Sequence, residues 1–85
     1  MFSKHTIDYN LLVKQQLKSV AVLEKQAEDE EDPFIKAALM KVIIEKYDEC
    51  IDCVRHGAHY SAYHFANLKK EHEKKLKELK TDEDL

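Results

Sequence analysis

An 85-residue chain with one glycine and one proline can turn sharply at very few places. Tight turns draw on glycine for left-handed backbone and on proline for a preset φ. A chain poor in both must put most of its length into regular structure. Leu, Lys, Glu, Ala and Gln are abundant and 36% of residues are charged, which favours helix over strand. The sequence therefore predicts an all-α fold. It predicts a single helical domain over 1–85, because a chain this short has room for one core.

The two rare residues mark the boundaries. Asp32 before Pro33 pairs a strong N-cap with a residue tolerated at the first helical position. Helix 2 is expected to start there and to run from about 33 to 56, where Gly57 can take the left-handed conformation that closes a helix. Upstream, Thr6 followed by Ile7 and Asp8 offers a hydroxyl cap and a carboxylate near the positive end of the dipole. Helix 1 is accordingly expected over about 6–27, with the acidic run at 28–32 as the turn, since acids oppose the dipole at a helix C-terminus. Helix 3 is expected over about 58–80, capped at Ser61, followed by a disordered acidic C-terminus at 81–85.

Each helix carries an apolar face. Val13, Val20 and Ala27 fall on one line of helix 1, and Tyr9, Gln16 and Leu23 on its partner line. Gln16 is the odd member, either a boundary residue or a polar specifier of register. Met40, Ile43, Ile44, Tyr47, Cys50, Ile51 and Val54 make a continuous face on helix 2. Ile35, Leu39 and Val42 widen that face until it needs cover on two sides. Ala62, Phe65, Leu68, His72, Leu76 and Leu79 form the stripe of helix 3. Short connections then give a small antiparallel three-helix bundle. The competing arrangement is a helical hairpin in which helices 2 and 3 fuse through Gly57 and dimerise into a larger bundle.

The segment 47–64 holds both cysteines and three of the five histidines. Cys50, Cys53, His56 and His59 stand at intervals of three and are the ligand types zinc prefers. Each step of three on a helix turns the side chain back by about 60°, so the four walk away from the core rather than around one centre. A CxxC redox role is disfavoured too, because the pair lies near a helix C-terminus among Asp48, Glu49 and Asp52, all of which oppose a thiolate. No cofactor is expected, zinc being the alternative.

The same segment aligns His56, Tyr60 and His64 at i, i+4, i+8, with His59, Tyr63 and Arg55 beside them, provided the backbone is helical. Tyr and Arg anchor many interfaces. The candidate partner-binding set is therefore Ile35, Leu39, Val42, Ile43 and Tyr47 on helix 2, with Arg55, His56, His59, Tyr60, Tyr63 and His64 at the corner.

Charge and composition exclude other classes. A net charge of −3 gives no global field for nucleic acid or an anionic membrane. The start of helix 3 carries no Lys or Arg for a major groove. Apolar runs reach four residues, far short of the roughly 20 that span a bilayer. The first ten residues contain no apolar run resembling a signal. Two cysteines three apart form no disulfide framework and point to a reducing, cytoplasmic setting. No phosphate-cradling loop and little backbone freedom leave no small-molecule substrate or catalytic site to expect.

What remains is a non-enzymatic helical protein-protein interaction module. By base rate it is a stand-alone regulator, adaptor or inhibitor of the kind found in phages and bacteria, with self-association expected. Zinc binding through the Cys50/Cys53/His56/His59 cluster is the alternative, and a nucleic-acid-associated regulator the second.

Overall fold

The structure, a computed structural model, describes residues 7–83, with side chains to residue 79. Three helices follow one another: α1 (Tyr9–Asp29), α2 (Pro33–Arg55) and α3 (Ala62–Glu83). No strand occurs among the described residues, and the helices form a small antiparallel three-helix bundle. No described helix is long and apolar enough to cross a membrane.

Local chemistry explains each end. Asp8 caps α1, its carboxylate accepting from the Leu11 N–H at 3.0 Å. The cap expected at Thr6 lies outside the described residues. At the other end α1 runs two residues beyond the expected boundary, so Glu28 and Asp29 sit in its last turn. Both are exposed to water, which screens the unfavourable end of the dipole. Asp32 caps α2 by accepting from the Phe34 N–H at 2.9 Å, and Pro33 opens the helix.

Gly57 closes α2. Its φ is +113°, the Gly57 N–H bonds the Val54 carbonyl at 3.0 Å, and the Ala58 N–H reaches back to the Cys53 carbonyl at 3.0 Å. This pair of bonds satisfies carbonyls that a helix end leaves open. The fused helix is thereby excluded. Helix 3, expected from 58, instead begins at Ala62 because Ala58 is consumed in closing α2 and is buried. The chain needs residues 58–61 to reverse. Ser61 then caps α3, accepting from the His64 N–H at 3.1 Å. At its far end α3 continues to Glu83, so residues 81–83, expected to be disordered, are helical.

The core gathers around α2. Val13 and Val20 from α1, Ile43, Tyr47, Cys50 and Cys53 from α2, and Ala58 and Phe65 form one buried cluster. The Tyr47 ring lies 6.4 Å from that of Phe65 and 5.4 Å from that of His72. Helix α2 packs along both neighbours. By contrast, α1 and α3 nowhere bring Cα atoms within 8 Å of each other among the described residues. They are joined by side chains: His72 Nε2 meets Glu24 Oε2 at 3.1 Å, while His72 Nδ1 bonds the Leu68 carbonyl at 2.8 Å.

Gln16 is the boundary residue of the core. Its Oε1 is withdrawn from water without a hydrogen-bond partner, a situation that costs on the order of 1–3 kcal/mol. Replacement by Leu should raise the midpoint of urea unfolding, an expectation refuted by a lower midpoint.

Three further substitutions probe the fold. Ile43 is 1% exposed, and a carboxylate there has no partner, so Ile43→Asp should abolish a cooperative circular-dichroism melt. Lys74→Glu, on the exposed side of α3, should leave the melt where it is. Gly57→Ala forces a side chain into positive φ and should lower stability by about 1 kcal/mol.

Candidate interaction surface

The cysteine and histidine segment does not assemble a metal centre. Cys50 is fully buried and Cys53 nearly so, whereas His56 and His59 are exposed beyond the helix end. Among the described residues no group of three or more His, Cys, Asp or Glu side chains is placed to hold a metal ion. Cys53, expected one step outward from the core, instead packs into it. The reason is the helix closure: its carbonyl accepts from Ala58, and its side chain shares the buried cluster with Ala58.

The thiols are accordingly inert. Burial pushes the Cys50 thiol up to about 11, reinforced by Cys53 and Glu49 and opposed by Lys46. Burial first, then Asp52 and Glu49, push Cys53 in the same direction. Both are free thiols.

The corner cluster is dispersed by the same turn. Residues 56–61 are not helical, so the row His56, Tyr60, His64 is not one helix face. His56 instead stacks on Tyr9 of α1, with ring centroids 5.1 Å apart, and its Nδ1 bonds the Asp52 carbonyl at 2.8 Å. The His59 N–H donates to Asn10 Oδ1 at 2.7 Å, a link from loop to α1 that no spacing in the sequence announces. Tyr60 and His64 both lean on Phe65, at 5.9 Å. Arg55 pairs loosely with Asp52 at 3.5 Å in water, worth little. Tyr63 stands clear, 77% exposed.

Helix 2 divides its candidates. Ile43 and Tyr47 are 1% and 3% exposed, so they hold the monomer together and are not surface residues. Ile35 and Val42 remain 49% and 37% exposed, and Leu39 is half-buried. Of these, Val42 lines the outer groove between α1 and α2, together with Val22, Leu23, Lys18 and Lys46.

Val22, at 58% exposure, lines this groove, and Phe34, at 72%, is exposed at the start of α2; neither is among the sequence candidates. For Val22 the signal is the run Val20 to Leu23, where four consecutive apolar residues on a helix cannot all face one core. A second groove, between α1 and α3 over α2, mixes Met40 and Ile43 with Glu24, Glu28, Lys36, His72 and Lys75. Its central pair, Glu24 and His72, already bond each other.

Ionisation of the buried acids gives a pH dependence. Burial pushes Tyr47 from 10.0 up to about 12, with Glu24, Cys50 and Glu71 adding to it. Below pH 9 these groups are protonated in both folded and unfolded chains, so their contribution is complete. Above it, the unfolded thiols ionise while folded Cys50 stays protonated to about 11. Stability should therefore fall as pH rises from about 9 to about 12, by up to about 1.4 kcal/mol per group and pH unit. Urea unfolding at pH 8 and pH 10.5 measures this; equal midpoints would contradict it. At pH 8 a disulfide reagent should label the folded chain far more slowly than the urea-unfolded one.

Comparison of the chain with protein-family models, with curated proteins and with solved structures returns no match. The functional reading rests on the geometry above.

Proposed function

We propose that this protein is a non-enzymatic, helical protein-protein interaction module, acting as a regulator, adaptor or inhibitor in a reducing, cytoplasmic setting. The observation that carries this reading is the outer face of α1 and α2. Val22, Phe34, Ile35 and Val42 all lie 37% or more exposed, although the core on the other side of these helices is already closed. Val22 and Val42 line one groove there, and exposed apolar side chains gathered at one place mark a surface that another molecule covers. Apolar anchors at helical spacing, rimmed by charge, suit a partner that lays a helix along the groove. The two free thiols support the reducing setting.

A photo-crosslinking residue tests the reading. Placed at Val42, it should form an adduct with a polypeptide in cells that express the protein, and Val22→Glu in the same chain should abolish that adduct. Placed at Lys74, it should form none. Absence of any adduct dependent on Val22 would remove the interaction reading.

A further inference from the structure

Among the described residues α1 and α3 both pack on α2 and not on each other, which leaves a groove between them. It holds about 380 Å³, within the range of ordinary ligand cavities, about 300–1,000 Å³. Met40 and Ile43 of α2 and Ala27 of α1 make its floor. All three are buried, so the floor is apolar and held by the core.

The walls carry opposite charge. Glu24 and Glu28 stand one turn apart on α1, while Lys75 rises from α3 beside His72 and Lys36 rises from α2. Lys36, Met40 and Lys75 also line an adjoining cavity of about 280 Å³ with Glu78 and Leu79. The two ammonium groups therefore share one neighbourhood around Met40, and Glu78 lines only the smaller cavity. Within the groove Glu24 is bonded to His72, whereas Glu28, Lys36 and Lys75 have no ion-pair partner among the described residues.

We propose that this groove binds a small zwitterionic molecule whose carboxylate and ammonium are joined by an apolar stem. The carboxylate sits between Lys36 and Lys75, the stem lies on Met40 and Ala27, and the ammonium meets Glu28 and the Glu24 oxygen that His72 does not use. Each wall repels the ion that the other attracts, so a ligand with a single charge is opposed at one of them and a ligand with both is not. The bond to His72 holds the Glu24 carboxylate in place before a ligand arrives, which lowers the ordering cost. Ion pairs this open to water are individually weak, so affinity is set jointly by the stem and both charges and falls in the millimolar range. The site is separate from the outer face of α1 and α2. Its residues come from three helices, so no spacing within one segment reveals it.

Titration of the isotope-labelled chain with ω-amino acids of increasing stem length, from β-alanine to ε-aminocaproate, followed by amide chemical shifts, tests the proposal. For the best-fitting member, saturable shifts should centre on Met40, His72 and Lys75. Hexanoate and hexylammonium should each bind about tenfold more weakly, and Glu28→Gln or Lys75→Gln should weaken the zwitterion by a similar factor. Both substituted residues are exposed, so the helical circular-dichroism spectrum should not change. Val42→Glu, on the outer groove, should leave the titration as it is, whatever that variant does to the crosslink at the interaction surface. Absence of saturable shifts with every member, binding of hexanoate as tight as that of the zwitterion, or shifts indifferent to both Glu28→Gln and Lys75→Gln would overturn the proposal.

Discussion

The closure of α2 at Gly57 is the constraint on which the rest of the structure depends. Two backbone bonds, from Gly57 to Val54 and from Ala58 to Cys53, end the helix at a residue whose φ of +113° strains any side chain. Because the helix stops there, α3 can return along α2, and Phe65 and His72 come to rest on Tyr47. Had the helix continued, the faces of α2 that bury Tyr47 would have remained in water. The same closure buries Cys53 beside Ala58 and carries the histidines off the helix, so the arrangement that resembles a metal motif in the sequence is the stop signal of a helix.

With the return path set, α2 becomes the central helix of the bundle. Its neighbours approach it from two sides without approaching each other, and they are joined through polar side chains: Glu24 to His72 directly, and Asn10 to His59 through the loop. Lys69 and Asp48, 2.7 Å apart, add a partly exposed link between α2 and α3 that contributes little. Stability in such a small domain comes mainly from burying apolar surface, here from Val13, Ile43, Cys50 and their neighbours. The unpartnered Oε1 of Gln16 works against it.

Residues whose local chemistry dictates their conformation were legible in the sequence. Asp32, Pro33, Gly57 and Ser61 act on neighbours within a few positions, and each stands where its chemistry places it. The lines Val13, Val20, Ala27 and Phe65, His72 were readable for a related reason, since helical periodicity alone decides which residues share a face. What failed required knowledge of the third dimension. The start of α3 depends on how many residues the closure consumes, and the sorting of α2 into buried Ile43 and exposed Val42 depends on which side each neighbour takes. Val22 and Phe34 belong to none of the core lines, and periodicity alone does not say whether such residues are covered.

That count explains why the outer face exists. Helix α2 is apolar around more than half its circumference, and two flanking helices cover only the arcs they touch. Ile35 and Val42 lie at the margin of the arc covered by α1, where a side chain is half wet, and Val22 extends the margin onto α1 itself. A chain selected only to fold alone would place there what it places at Lys46, whose long stem covers apolar surface while its ammonium stays in water. The corner is a poorer docking surface, because His56, Tyr60 and His64 already spend their rings on Tyr9 and Phe65, and water leaving them would release less free energy. On the outer face Val22 and Val42 are unspent.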